Sequence, residues 1–157
     1  MPARVLVVSD SHGDEWALRR ALADEPDASV VIHLGDGVRE AETLSAQYPD
    51  RTFYIVRGNC DFAASDYLPA REETVGGVRL FFTHGHLYGV KYDLYRIACA
   101  ARERRAEVLL FGHTHEPLCD YDDGLYLVNP GSLHDGSYAV LDIRQKGLMP
   151  TIRRLRW

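Results

Sequence analysis

The sequence predicts an α/β fold in which two β-sheets stack against each other and helices cover them. Five short apolar runs, rich in β-branched residues, have the length and composition of buried strands. They lie at residues 5–8, 30–34, 53–56, 78–82 and 108–111. Helix-like segments separate several of these runs, at residues 15–24, 39–47 and 91–105. More short strands follow Cys119, and one sheet would not hold all of them, so two sheets are expected.

The order of these elements predicts how the strands pair. Strands that alternate with helices indicate βαβ units and a largely parallel sheet. The third helical segment carries an apolar stripe at helical spacing, formed by Leu94, Ile97, Ala98 and Ala101. The "VGGV" segment at residues 75–78 predicts a tight hairpin turn. The segments "YDDGLYLV", "SYAVLDI" and "MPTIRRLRW" predict an antiparallel meander near the end of the chain.

The composition is typical of a globular protein. With 157 residues, of which 46% are hydrophobic and 26% charged, the chain is expected to form a single domain spanning residues 1–157. The formal net charge of −5 argues against a general nucleic-acid-binding protein, because affinity for a phosphate backbone requires a clustered basic surface. Nucleic acid is therefore not an expected partner.

The cysteines and the apolar segments predict a cellular location. The three cysteines, Cys60, Cys99 and Cys119, are odd in number and lack paired spacing. No segment resembles a signal peptide, and none approaches the roughly 18 apolar residues of a membrane span. The sequence therefore predicts a reduced, cytoplasmic environment and no membrane association.

Each of the five apolar runs is followed at once by a polar, glycine-containing turn. In chain order these turns are "SDSHGD", "GDG", "RGNCD", "THGHLYG" and "GHTHEP", and they contain five of the seven histidines. The carboxyl ends of strands in an open α/β sheet form one rim, which is where ligands bind. The side chains that we expect to converge there are Asp10, His12, Asp36, Asn59, Cys60, Asp61, His84, His86, His113 and His115.

This mixture of imidazole, carboxylate and amide groups suits a divalent metal such as zinc, manganese or iron. Each turn taken alone has a structural alternative, since Asp10 precedes a helix and Asn59 tolerates a left-handed turn. Five turns with ligand-type residues at strand ends together favour a metal centre. Seven ligands exceed the need of one tetrahedral ion and suit two ions that share a carboxylate, as in phosphatases and nucleases. His33, inside a strand, is instead predicted to be buried.

The ordered motifs closely resemble those of the calcineurin-like metallophosphoesterase superfamily. They are Asp10-Ser-His12, Gly35-Asp36, Gly58-Asn59, His84 and Gly112-His113-Thr-His115. The short length and the segments "RGNCD", "THGHLYG" and "NPGSL" are most similar to its small phosphodiesterase branch of YfcE-type and archaeal enzymes. The resemblance implies a four-layer α/β/β/α sandwich with two mixed sheets between helices.

The resemblance also implies a ligand set. One metal ion would be held by Asp10, His12, Asp36 and His115, and the other by Asp36, Asn59, His84 and His113, with Asp36 bridging. His84 is expected to bind in preference to His86, because the ligand of the family directly follows the strand. Manganese is the expected metal, with zinc, nickel, iron and magnesium as alternatives.

The implied reaction is hydrolysis of a small phosphodiester by a hydroxide that bridges the two ions. The candidate catalytic residues are Asp36, Asn59 and Asp61. Asn59 would position the phosphoryl group, and Asp61 would orient a ligand. Cys60 departs from the wider superfamily, where many members have a histidine that assists the leaving group. Thiols are poor acids at neutral pH, so slow turnover and a preference for good leaving groups are expected.

Other functions stay open at this stage. The chain could be a protein-interaction scaffold, since a retromer subunit resembles the same branch. A phosphomonoesterase or a nuclease would differ only in substrate, and a homo-oligomer stays open as well. The complete set of seven ligand positions favours hydrolysis over the scaffold.

Overall fold

A computed structural model describes residues 2–156 and shows two five-stranded mixed β-sheets with helices packed on both. The helices are α1 (Glu15–Asp24), α2 (Val38–Gln47) and α3 (Tyr95–Glu103). The strands are β1 (Ala3–Val8), β2 (Val30–His33), β3 (Thr52–Ile55), β4 (Ala70–Val75), β5 (Val78–Thr83), β6 (Val108–Leu110), β7 (Leu118–Asp122), β8 (Leu125–Asn129), β9 (Ser137–Arg144) and β10 (Gly147–Arg154). The first sheet has the order β10-β9-β1-β2-β3, and the second has the order β4-β5-β6-β8-β7.

The alternation of side chains along β1 explains the layers. Leu6 and Val8 pack with apolar residues of α1 and α2, whereas Val5 and Val7 pack against residues of the second sheet. On the far side of the second sheet, Phe81 and Leu109 pack against α3. These three apolar clusters are the three interfaces of a four-layer α/β/β/α sandwich, so the predicted fold class is confirmed.

The five predicted strands are present, with ends within two residues of the expected positions. The predicted hairpin turn is also confirmed, since Gly76 and Gly77 have φ angles of 57° and 83° and join the antiparallel pair β4–β5. β4 was not predicted as an apolar run. It is an edge strand with the sequence "AREETV", and its charged residues do not form the apolar run that predicts a buried strand.

The predicted meander after Cys119 is wrong. β7 and β8 form a hairpin in the second sheet, and β8 pairs in parallel with β6. β9 and β10 form a separate hairpin in the first sheet, where β9 pairs with β1. Alternation of apolar residues shows which side chains are buried but not which sheet a strand joins, so the sequence pattern could not separate the two hairpins.

The third helix begins four residues later than predicted, at Tyr95 rather than at residue 91. Gly89 adopts a left-handed conformation with φ of 62°, and a turn follows it. The Asp93 carboxylate then accepts a hydrogen bond from the backbone N–H of Tyr95, at 3.0 Å. The second helix begins at Val38, one residue earlier than predicted. No helix of residues 2–156 is long and apolar enough to cross a membrane.

Candidate metal centre

The turns that carry the candidate ligands meet at one edge of the two sheets. β1, β2 and β3 run parallel, and so do β5 and β6, which brings their carboxyl ends together. Backbone hydrogen bonds connect the turns: Asp10 N–H donates to Gly35 O, His12 N–H to Asp36 O, and Gly112 N–H to His84 O. The His113 N–H donates to Asp10 Oδ2 at 3.1 Å and so joins a turn of the second sheet to one of the first.

One group of candidate ligands consists of Asp10, His12 and His115. Asp10 Oδ1 lies 3.1 Å from His115 Nε2 and 3.5 Å from His12 Nε2. The two Nε2 atoms are 3.4 Å apart. The ligand atoms of these three side chains all lie within 4.8 Å of one another.

A second group consists of Asp36, His84 and His113. His84 Nε2 lies 3.3 Å from Asp36 Oδ2 and 3.2 Å from His113 Nδ1. Asp36 also belongs to a third group, with His12 and Cys60, and its Oδ2 is 4.0 Å from His12 Nε2. Asp36 therefore stands between the two histidine pairs.

The spacing of these donors fits divalent metal ions. An ion about 2.0–2.1 Å from each of two nitrogens at a tetrahedral angle places those nitrogens about 3.4 Å apart. The nitrogens of the two histidine pairs are 3.4 Å and 3.2 Å apart. Nδ1 of His84 lies 2.9 Å from Leu34 O and donates its N–H to this carbonyl, so Nε2 is the nitrogen available to a metal ion.

The backbone of this edge is strained. Seven non-glycine residues between residues 2 and 156 have positive φ, and five of them are candidate ligands: Asp10, His12, Asp36, His113 and His115. A left-handed conformation at a non-glycine residue costs about 1–3 kcal/mol, and such residues cluster at functional sites. The fold therefore holds these side chains at a cost in stability that a merely structural turn would avoid.

Two glycines of the motifs are required by close packing beneath the ligands. A Cβ atom on Gly112 would overlap Ser9 Oγ and lie 2.8 Å from Asp10 Oδ2. A Cβ atom on Gly58 would overlap Asp36 Oδ1 and lie 2.8 Å from the Asp36 backbone nitrogen. The carboxylates of Asp10 and Asp36 thus lie so close to the backbone of the neighbouring turns that no side chain fits at Gly112 or Gly58.

The charges at the centre perturb the ionisation of its members. Burial opposes ionisation of Asp36, but hydrogen bonding and charge from His84 outweigh it and hold the pKa of the Asp36 carboxyl far below its ordinary value. Burial disfavours protonated His84, yet the hydrogen bond to Asp36 and the charge of Asp10 raise its pKa. For His113, burial and the positive charges of His84 and Lys91 lower the pKa, which keeps this imidazole neutral.

The Asp61 carboxylate accepts hydrogen bonds from the backbone of two turns. Its Oδ2 accepts hydrogen bonds from the N–H groups of Asp36 and Gly58, each at 2.7 Å. Its Oδ1 accepts from the N–H groups of Gly37 and Val38, at 3.0 and 3.1 Å. The carboxylate therefore fixes the position of the Asp36 backbone.

Asn59 and Cys60 lie at the exposed rim of the centre. The structure gives the Asn59 amide one hydrogen bond within the described chain, from Nδ2 to Cys60 Sγ at 3.5 Å, and so does not place it on the carboxylates. The Cys60 backbone N–H donates to Asp36 Oδ1 at 2.8 Å. The ring of His86 is 5.5 Å from that of His84, and its Nδ1 is buried without a hydrogen-bond partner among residues 2–156.

Several supporting residues were not recognised in the sequence. Ser11 Oγ donates to Glu40 Oε2 at 2.7 Å and lies 2.9 Å from Nε2 of the fully buried His33, as expected for a buried strand histidine. The buried Asn129 donates from Nδ2 to Gly112 O and Thr114 Oγ1, which holds the turn between His113 and His115. Glu40 gives no sequence signal because it sits in an ordinary helical pattern, whereas "NPGSL" around Asn129 did point to the family.

A family model for the calcineurin-like phosphoesterase superfamily domain matches residues 3–146. The chain belongs to this superfamily. Within it, the chain is 37% identical over 147 residues to a probable metallophosphoesterase, YsnB of Bacillus subtilis, covering 88% of this chain and 83% of YsnB. It is 29% identical over 167 residues to the phosphodiesterase YfcE of Escherichia coli, covering 88% and 87% of the two chains. These relatives support the YfcE-type branch.

Two solved structures have the same fold as this chain. A conserved protein of Streptococcus pneumoniae, described as a predicted phosphoesterase, has a TM-score of 0.84 and 25% identity, covering 98% of this chain and 90% of its own. Vps29 of Chaetomium thermophilum has a TM-score of 0.78 and 21% identity, covering 99% and 89%. The second likeness concerns the fold alone.

Proposed function

We propose that this chain is a metal-dependent phosphodiesterase that hydrolyses small phosphodiesters at a dinuclear centre. The observation that carries the proposal is the position of Asp36, which belongs to one group of ligand atoms and lies 4.0 Å from His12 of the other, each group being compact enough for one ion. Two ions about 3.5–4 Å apart are typical of enzymes that cleave phosphate esters. The relative YfcE carries the name phosphodiesterase, which supports the choice of reaction.

The residues present fit two divalent ions. Asp10, His12, Asp36 and His115 would hold one, and Asp36, Asn59, His84 and His113 would hold the other. Manganese is our first choice, since carboxylate, amide and imidazole donors together suit it, and zinc, nickel, iron and magnesium are the alternatives. When bound, such ions lower the pKa of a shared water and neutralise charge on phosphoryl oxygens.

The protein side chains have separate tasks in this proposal. Asp36 would bind both ions and set the distance between them, because its carboxylate faces both histidine pairs. Asn59, exposed at the rim, would position the phosphoryl group with its amide. Asp61 would act through the backbone of Asp36, which it fixes with a hydrogen bond of 2.7 Å.

Metal dependence tests the proposal directly. Metal-stripped protein should not hydrolyse bis-p-nitrophenyl phosphate, and added manganese should restore hydrolysis more than zinc, nickel or magnesium does. His113→Ala should reduce the restored kcat/KM by at least about 100-fold, because it removes one ligand of a metal ion. p-Nitrophenyl phosphate, assayed in parallel, separates a diesterase from a monoesterase. Hydrolysis that persists after the metal is removed would contradict the proposal.

Cys60 should limit the choice of leaving group. Burial and the negative charge of Asp36 raise the pKa of its thiol, which makes Cys60 a weaker acid, and a thiol does not carry the positive charge of a protonated imidazole. We expect Cys60→His to increase hydrolysis of alkyl phosphodiesters by about 10-fold or more and to change aryl esters less, since general acid catalysis helps poor leaving groups most. Rates that stay the same for every ester would refute this role. Circular dichroism and metal content, compared with those of Cys60→Ser, control for changes in the site itself.

A protein-interaction scaffold is the second candidate. Vps29 of Schizosaccharomyces pombe, a vacuolar protein sorting-associated protein, is 29% identical to this chain over 133 residues. Large apolar side chains near the ligand turns are exposed, with Phe62 at 92% and Leu87 at 55%. Folded protein that hydrolyses neither ester with any of the metals would favour this function.

A further inference from the structure

A cavity of about 310 Å³ lies beside the candidate metal centre, on the α3 side of the second sheet. Both of its walls continue turns that carry candidate ligands. One wall, from Val90 to Leu94, follows the turn of His84, and the other, from Thr114 to Leu118, continues the turn of His113. A molecule bound at the centre could therefore extend into this cavity.

Hydrogen bonds of Asn129 fix the base of the cavity, and most of the residues that line it are apolar. Asn129, fully buried, reaches the floor and donates hydrogen bonds to Gly112 O at 3.2 Å and to Thr114 Oγ1 at 3.0 Å. Phe111 is 1% exposed and contributes little surface, whereas Leu94, Leu118 and the exposed Pro117 provide apolar walls. Tyr92, at 92% exposure, offers an aromatic face at the edge. These walls suit a substituent with an apolar body.

The charged groups of the cavity are both acidic. Asp93 and Glu116 line it, and no lysine or arginine does. The Glu116 carboxylate has no hydrogen bond or ion pair within residues 2–156. The cations that act on the centre, Lys91 on His113 and Arg57 on His86, lie outside the lining. Two carboxylates beside an aromatic ring favour a cation and repel a second phosphate.

We propose that this cavity binds one ester substituent of the substrate, and that this substituent has an apolar body and a cationic group. The inference deepens the proposed phosphodiesterase function and rests on it for its catalytic meaning. The phosphate would stay with the ligand turns, and the substituent would contact Tyr92 and Glu116. The substrate class is then a phosphodiester whose phosphate has a single negative charge and whose ester substituent carries a positive charge.

Binding by metal-free protein tests the cavity without any need for catalysis. Isotope-labelled protein would be titrated with benzyltrimethylammonium, benzyl alcohol and benzylphosphonate, which share a ring and differ in charge. We expect the ammonium compound to shift the backbone amide signals of residues 92–94, Glu116 and Leu118 with a Kd about 10-fold below that of the phosphonate. The preference should fall about threefold or more in Glu116→Gln, since that variant keeps the shape but loses the charge.

Glu103→Gln is the matched control. Glu103 is an exposed residue at the far end of α3, about 12 Å along the helix from Tyr95, and should leave the ranking unchanged. Equal shifts from the cationic and anionic probes, or a ranking that Glu116→Gln does not alter, would overturn the inference.

Hydrolysis gives an independent measurement. With manganese added, the ratio of kcat/KM for p-nitrophenyl phosphorylcholine to that for bis-p-nitrophenyl phosphate should fall at least about fivefold in Glu116→Gln and stay constant in Glu103→Gln. A ratio unaffected by Glu116→Gln would overturn the cavity assignment while leaving the phosphodiesterase intact. Protein that ranks the benzyl probes as expected yet cleaves no ester would support the cavity and refute the phosphodiesterase.

Discussion

Replacing Asp36 by asparagine will lower kcat/KM for bis-p-nitrophenyl phosphate by at least about 1000-fold, the largest functional effect we expect from one substitution. Asp36 Oδ2 lies 3.3 Å from His84 Nε2 and 4.0 Å from His12 Nε2, so this carboxylate is close to both groups of ligand atoms. The amide keeps the shape of the side chain and an oxygen to accept the Cys60 N–H bond. It loses the negative charge that would hold two cations together.

The effect must be separated from unfolding. Asp36→Asn should keep the circular dichroism spectrum of the unchanged protein but bind less manganese, measured as metal content after gel filtration. Asp27→Asn is the matched control, because Asp27 is an exposed aspartate that precedes β2, whereas Asp36 follows it at the opposite end. If Asp36→Asn kept activity within about 10-fold of the unchanged protein, a bridging role for this carboxylate would be wrong.

The position of the candidate centre could be predicted because the pattern that indicates it lies within short segments of the sequence. Each ligand directly follows an apolar run, and parallel strands bring such positions to one edge whatever the details of packing. That reasoning placed Asp10, Asp36 and His113 in neighbouring turns, and the structure agrees, with His113 N–H bonded to the Asp10 carboxylate. It also separated His33 from the candidate ligands, since a histidine within an apolar run is expected to be buried, and His33 is fully buried.

Contacts between distant segments could not be predicted in the same way. The hydrogen bond from Ser11 to Glu40 depends on how α2 lies over the turn that contains Ser11. The sequence likewise gives no signal for the exposed position of Asn59. The assignment of β9 to the first sheet depends on a crossing between sheets near Gly131, whose φ is 77°. A single sequence records which residues are apolar or polar, but it does not record which of two buried faces they meet.

Asp61 is one residue whose contacts could not be predicted from the sequence. Among residues outside the candidate ligands, its replacement should reduce stability the most. The sequence predicted that Asp61 orients a ligand, without showing how. In the structure its carboxylate accepts four backbone N–H groups, from Asp36, Gly37, Val38 and Gly58. Bonds to a charged acceptor contribute about 1.5–3 kcal/mol each at most, and they are not additive. We expect Asp61→Ala to lower the free energy of unfolding by about 2–4 kcal/mol and Tm by about 5–15 °C.

The same substitution should weaken manganese binding by about 10–100-fold, because the turn that presents Asp36 loses its anchor. Calorimetric unfolding with and without manganese separates the two effects, since a metal that binds only the folded state raises Tm by an amount that grows with the logarithm of the ratio of its concentration to its Kd. Asp66→Ala is the control, an exposed aspartate in the same loop as Asp61. A stability loss with unchanged manganese affinity would show that Asp61 supports the fold alone. Loss of both in Asp61→Ala, and of neither in Asp66→Ala, would show that four hydrogen bonds to one carboxylate keep the strained Asp36 turn in its binding geometry.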